Sequence, residues 1–270
     1  MDRRNFLKTG GIALLGSLAT GSAMALTTPG ALGGEGADKK AAVALAMNHF
    51  GVSEADLKKV LAAALEKGGD YADLFFEHTI SNSIRLMDGA VNNSYSNIDY
   101  GVGVRVLTGD QSGYAYVENI TVEDMLKAAR TAARIASANK GNKPLNLTEK
   151  ELKKNYYTVA SPWEEVSLKD KMPYLQKLND RIFALDKRVH KVQASQSDTT
   201  SHIFFCNSEG VMFYDYRPMV TLGAVCIMEE DGKTENGYAA RAYRRGFDFL
   251  SDEVVDVIAR EAVDQTSLLF

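Results

Sequence analysis

Apolar residues recur at helical spacing directly after a capping sequence at residue 53. In Ser53-Glu54-Ala55-Asp56 the hydroxyl and the carboxylate are placed to accept hydrogen bonds from the free N–H groups of a first helical turn. Gly68-Gly69 ends the pattern, so a helix is predicted between these two signals. Its predicted inner face consists of Leu57, Val60, Leu61, Ala64 and Leu65.

A period of two replaces this pattern after residue 70 and predicts strands. Residues 71–78 and 83–87 are strand-like, and Asp88-Gly89 is a tight-hairpin signal because both residues tolerate positive φ angles. Gly109-Asp110 predicts another turn, followed by a strand over residues 113–117. Between these turns, three apolar residues alternate with small or charged ones as in a half-buried strand: Val102, Val104 and Val106 with Gly101, Gly103 and Arg105.

The order of helix, strands and helix then occurs a second time. A helix that begins at Thr121 closes the first unit, and residues 139–166 are rich in Lys, Asn and Pro, as in a linker. Ser167 opens a third helix, which Pro173 is expected to kink or to delay. Four or five strands over residues 187–245 and a helix from Ser251 complete the second unit. The predicted inner faces are Met125, Ala129, Ala132 and Ala136; Leu168, Met172, Leu175, Leu178 and Ile182; and Val255, Ile258, Ala262 and Thr266.

These patterns predict an α+β fold of two successive helix–antiparallel sheet–helix domains, related by structural duplication. The first domain is expected over residues 53–138 and the second over residues 167–270, joined by the linker at 139–166.

The N-terminus has the layout of an export signal. Arg3-Arg4 precede Phe-Leu-Lys, a short apolar run follows, and Ala23-Met24-Ala25 resembles a cleavage site, as in twin-arginine signals. We therefore expect export to the periplasm or cell envelope, with transient membrane contact through residues 1–25 and a flexible leader over residues 26–52. An ordinary secretory signal with incidental arginines is the alternative.

The composition narrows the possible functions. A net charge of −4 and dispersed basic residues argue against a nucleic-acid partner. No two histidines stand at the spacing of a local zinc site, and Glu77 and His78, as strand neighbours, point to opposite faces. Cys206 and Cys226 are expected to be buried free thiols, with a single disulfide as the alternative.

Several segments in fixed order resemble one known family. They are residues 72–77, 84–93, 101–106, 112–116 and the alanine-rich helix 128–136, followed by Asn207-Ser208-Glu209-Gly210 and the helix at 254–268. Together they resemble the N-terminal and middle domains of the TldD/PmbA peptidases, once described as modulators of DNA gyrase.

The resemblance implies a zinc-dependent peptidase that cleaves extended or unfolded peptides and works as a homodimer or as a heterodimer with a PmbA-like subunit. In that family zinc is held by a His-Glu-x-x-x-His helix and a later cysteine, in a further domain. No residue of this chain matches these positions, so the resemblance assigns no catalytic or metal-binding residue and no cofactor to these 270 residues.

We therefore expect the chain to be the N-terminal portion of an exported metallopeptidase, supplying cleft walls and dimer contacts without catalysis of its own. The alternative is a non-catalytic peptide-binding or dimerisation module derived from that family. Glycines in a strand permit close approach of a neighbouring backbone or of a peptide. Gly101, Gly103 and Arg105 are accordingly the candidate peptide-binding residues.

Overall fold

The structure is a computed structural model that describes residues 39–136, 147–149 and 159–270. The predicted signal, Arg3 and Arg4 included, and residues 26–38 of the predicted leader lie outside these ranges. The described helices are α1 (Lys39–Phe50), α2 (Glu54–Ala64), α3 (Val122–Ile135), α4 (Leu168–Leu185) and α5 (Asp252–Ser267). The strands are β1 (Tyr71–Met87), β2 (Ala90–Thr108), β3 (Gln111–Val117), β4 (Thr148–Glu149), β5 (Val189–Asn207), β6 (Val211–Glu230) and β7 (Lys233–Tyr243).

The fold is α+β, as predicted, and the strands of both predicted units lie in one sheet. Its order is β3-β2-β1-β5-β6, with β4 and β7 both paired to β6. All pairs are antiparallel except the short parallel pair of β4 and β6. The two units meet where β1 pairs with β5, from Asp73 opposite Asn207 to Met87 opposite Gln193. This central pairing was not predicted.

The helices begin where the capping sequences predict. Ser53, Thr121, Ser167 and Ser251 each directly precede a helix, and Asp170 accepts hydrogen bonds from the N–H and hydroxyl of Ser167. The helix after Ser167 is therefore not delayed by Pro173, which lies inside it. The predicted inner faces are buried or half-buried except at Leu168, which is exposed because it occupies the first helical position.

The hairpin signals are confirmed, whereas the strand count is not. Asp88 and Gly89 adopt positive φ angles in the turn between β1 and β2, and Gly109 does so in the turn before β3. The region 187–245 forms three long strands rather than four or five. Polar residues inside these strands do not interrupt them, because they lie within the continuous pairing of β5 with β6.

Two differences concern the segments predicted to lack structure. Residues 39–50 of the predicted leader form α1, which buries Val43, Ala46 and Phe50 against the sheet. Within the predicted linker, Thr148–Glu149 pairs with β6 and Trp163–Glu165 forms a single 3-10 turn. None of the described helices is long and apolar enough to cross a membrane.

The helices pack on one face of the sheet over two separate cores. The first core joins α1, α2 and α3 to β1, β2 and the far end of β5, where Phe204 and Cys206 lie. The second joins α4 and α5 to β5, β6 and β7 and includes Ile84 and Leu86 of β1. Cys206 and Cys226 are free, buried thiols in different cores, as expected.

A band of polar side chains separates the two cores on the helix-covered face, because the long strands run through both. We call it the polar band. Its members are His78, Asn82, Gln196, Asp198, Thr200, His202, Tyr214 and Tyr216.

Candidate functional site

Two of the three predicted peptide-binding residues line a surface cleft. Gly101 and Gly103 lie on the sheet face opposite the helices, because the alternating Val102, Val104 and Val106 are buried in the first core. The cleft has a volume of about 450 Å³ and opens where β3 ends beside β2.

The close approach of β3 requires glycine at position 101 and leaves little space beside position 103. A Cβ atom on Gly101 would lie 2.5 Å from the carbonyl oxygen of Val117, and one on Gly103 would lie 2.5 Å from the hydroxyl oxygen of Tyr114. A side chain at position 101 would require the backbone of β3 to shift, whereas Tyr114 could rotate away from a side chain at position 103. Packing within the sheet therefore accounts for the glycine at position 101.

Arg105 lies on the same face but outside the lining of the cleft. Its Nε and a terminal nitrogen donate hydrogen bonds of 3.0 and 2.5 Å to Oδ2 of Asp73, whose carboxylate is buried. These bonds raise the pKa of Arg105. The structure therefore brings Gly101 and Gly103 together and holds Arg105 in a separate ion pair.

The cleft adjoins a free strand edge that the sequence did not predict. β3 pairs with β2 only from Val102 to Thr108. No other described strand pairs with the outer side of β2 over residues 90–101, although β1 pairs with its inner side there. An unpaired edge presents backbone N–H and C=O groups to any extended chain. Exposed apolar side chains flank it: Val91, Tyr95, Ile98 and Tyr100.

A second cluster of chemical groups lies at the end of the polar band and consists of three histidines. His49 of α1, His78 of β1 and His202 of β5 are stacked with ring centroids 4.9 to 5.9 Å apart. Nε2 of His49 and Nδ1 of His78 share a hydrogen bond of 2.8 Å. We call these residues the histidine cluster.

Glu164 of the 3-10 turn closes this cluster. It is 3.1 Å from Nε2 of His202 and accepts hydrogen bonds from Tyr216 and Thr200. Burial alone would raise the pKa of Glu164, but the hydrogen bond from His202 and further bonds lower it overall. Burial and the nearby Glu164 raise the pKa values of both Tyr214 and Tyr216. The hydroxyl oxygen of Tyr214 is 2.7 Å from Nδ1 of His202.

The histidine cluster does not fit a metal ion. Nε2 of His49 and Nδ1 of His78 bond to each other, and both ring nitrogens of His202 have other partners. In the part of the chain that the structure describes, no three His, Cys, Asp or Glu side chains are arranged to hold a metal.

Sequence spacing could not reveal the histidine cluster, because its members are far apart in the chain and meet only through the pairing of β1 with β5. His78 stands directly opposite His202, and Phe76 stands opposite Phe204. The available signal was the reciprocal order Phe76-x-His78 and His202-x-Phe204, which places each histidine on the face of a buried phenylalanine.

We expect the histidine cluster to make stability depend on pH. Burial, then His202 and His78, lower the pKa of His49 from 6.5 to about 4. Between these values the unfolded chain binds a proton that the folded chain does not. The free energy of unfolding is therefore highest above pH 6.5 and decreases as the pH drops toward 4. Since His49 is partly exposed, we expect a loss of roughly 1 kcal/mol.

Denaturation at pH 7 and pH 5 measures this effect. The H49Q variant should lose less stability than the wild type between the two values. H190Q is the matched control, because His190 is exposed and lies outside the cluster. An equal pH dependence of the wild type and H49Q would contradict the assignment.

Comparison with known protein families matches two models. Residues 72–136 match the model described as PmbA/TldA metallopeptidase domain 1, and residues 161–270 match the PmbA/TldA metallopeptidase central domain. The "Metalloprotease TldD homolog" of Haemophilus influenzae is 32% identical over 206 residues, which cover 73% of this chain and 42% of that protein.

Solved structures show the same fold. A putative modulator of DNA gyrase from Thermotoga maritima aligns with a TM-score of 0.62 and 19% identity, over 79% of this chain and 47% of its own. TldE from Thermococcus kodakarensis aligns with a TM-score of 0.59 and 16% identity, over 78% and 47%. The chain thus spans less than half the length of each of these relatives.

Proposed function

Because the chain belongs to the PmbA/TldD metallopeptidase family, we propose that it supplies the peptide-binding wall of a metal-dependent peptidase. The observation that carries this proposal is the free edge of β2 over residues 90–101, with a cleft at its end. A peptide in extended conformation adds a strand to such an edge through backbone hydrogen bonds, which bind many sequences alike. The bound peptide would form a strand collinear with β3.

In this proposal, the metal and the groups that attack the peptide bond lie outside the described residues. No described cluster fits a metal, and the relatives are more than twice as long as the matched region. In this proposal, the described residues bind the peptide and other residues of the complete enzyme cleave it. Export through residues 1–25 and a paired, homo- or heterodimeric assembly remain proposals that rest on the signal layout and on the family.

Binding of an extended peptide to the 270-residue chain tests the proposal. A fluorescent peptide of eight to ten residues is titrated with the chain, and its anisotropy is measured. Methylation of alternate backbone nitrogens removes the donors along one edge of the peptide, while the side chains are unchanged. Two such peptides, methylated in opposite phases, identify the edge that pairs.

We expect one phase of methylation to weaken binding on the order of ten-fold or more and the other to have little effect, because each lost hydrogen bond contributes about 1 kcal/mol. Equal binding of both methylated peptides and the parent would contradict strand addition. Mass spectrometry of the same samples detects any cleavage, which would contradict the expected lack of autonomous catalysis.

A further inference from the structure

The cleft beside the free edge is lined by aromatic rings and carboxylates. Phe75, Tyr114 and Tyr116 project from the open face of the sheet, and the two tyrosines are 57% and 67% exposed. The apolar walls of such a cleft accommodate a long side chain, and the ring faces attract a cation. These rings have no packing partner on their outer side among the described helices.

Three carboxylates belong to the same lining: Glu77, Asp99 and Glu118. No lysine or arginine lines the cleft, and none of the three carboxylates forms an ion pair with a described residue. Glu77 and Asp99 each accept a hydrogen bond from a neutral neighbour, at 2.6 and 3.0 Å, through one oxygen. The other oxygen of each remains available to a bound group.

The arginine of β2 does not neutralise these carboxylates. Arg105 follows Gly103 on the open face, but both of its bonding nitrogens are directed at Asp73. Among the residues that the structure describes, no cation therefore compensates the negative charge of the cleft, which lies next to exposed aromatic surface. Such a combination favours a positively charged side chain with an apolar stem.

We propose that this cleft binds a lysine or arginine side chain of the peptide that pairs with β2, so that the site prefers basic peptides. The inference rests on the proposed function, since the free edge places the peptide. A strand that pairs with residues 90–101 ends beside Val117 and Glu118, where the cleft opens. Alternate side chains of that strand face the open side of the sheet and reach the lining.

The experiment compares two peptides that differ at one position, lysine against norleucine, which has a similar stem without the charge. Each is titrated with the wild-type chain, with the double variant E77Q/E118Q and with the control E253Q. Glu253 is exposed on α5, outside the cleft. Glu118 is exposed and Glu77 is half-buried, and circular dichroism verifies that the fold of the double variant is unchanged.

We expect the wild type and E253Q to prefer the lysine peptide on the order of ten-fold at low salt, because several exposed charge pairs and a cation–π contact add together. The preference should fall to about two-fold in E77Q/E118Q and should weaken in high salt. Equal binding of both peptides by the wild type, or an unchanged preference in E77Q/E118Q, would overturn the inference and leave strand addition intact. Failure to bind either peptide would overturn both.

Discussion

Replacement of Lys171 by methionine is expected to lower the free energy of unfolding by about 3–5 kcal/mol, because it leaves a buried carboxylate without its counter-charge. The ammonium group of Lys171 is 2.6 Å from Oδ2 of Asp198, and the two side chains are 4% and 1% exposed. Gln196 and Asn82 also donate to Asp198, and Trp163 covers the lysine. Urea denaturation at pH 7, with comparison of midpoints and slopes, measures the loss.

Two further variants test whether the loss of stability in K171M comes from a charge that is both buried and unpaired. The double variant K171M/D198L removes both charges and should recover part of the lost stability, because no buried charge is left unpaired. The recovery should be incomplete, because Gln196 and Asn82 lose the acceptor of their hydrogen bonds. K177M breaks the ion pair between Lys177 and Asp252, which is exposed, and should change stability by about 0.5 kcal/mol or less. A similar loss in K171M and K177M would show that the polar band is accessible to water.

The second large effect is expected for Gly113→Ala, which should cost about 2–3 kcal/mol because the added methyl group overpacks the contact between β3 and α3. A Cβ atom at Gly113 would lie 2.0 Å from the carbonyl oxygen of Ala132, so the helix itself must move. S112A, at the exposed neighbouring position, is the control and should be nearly neutral. Thermal and urea denaturation of the two variants test the prediction, and equal midpoints would contradict it.

Local signals in the sequence predicted the individual helices and turns but not the way in which the strands pair. The caps at Ser53 and Thr121 and the turn at Asp88-Gly89 act through neighbouring backbone atoms, so a few residues determine them. Alternation along a strand indicates which side chains share a face, but it does not indicate which strand lies alongside. The pairing of β1 with β5 therefore escaped prediction, and with it the union of the two units in one sheet.

The candidate sites likewise include features that the local sequence reveals and features that depend on long-range pairing. Gly101 and Gly103 were identifiable because glycine inside a strand marks close approach, whichever group approaches. The free edge of β2 depends on where β3 ends, and the histidine cluster depends on long-range pairing. Helix α1 was missed because the small residues before it suggested a leader, whereas Val43, Ala46 and Phe50 bury its inner side.

The long pairing of β1 with β5 has a consequence for the modularity of the chain. Each family-model segment contributes one strand to this seam, and each core takes side chains from strands of the other segment. Neither segment alone retains a complete sheet. Any segment that replaces either half must therefore preserve the register of this seam.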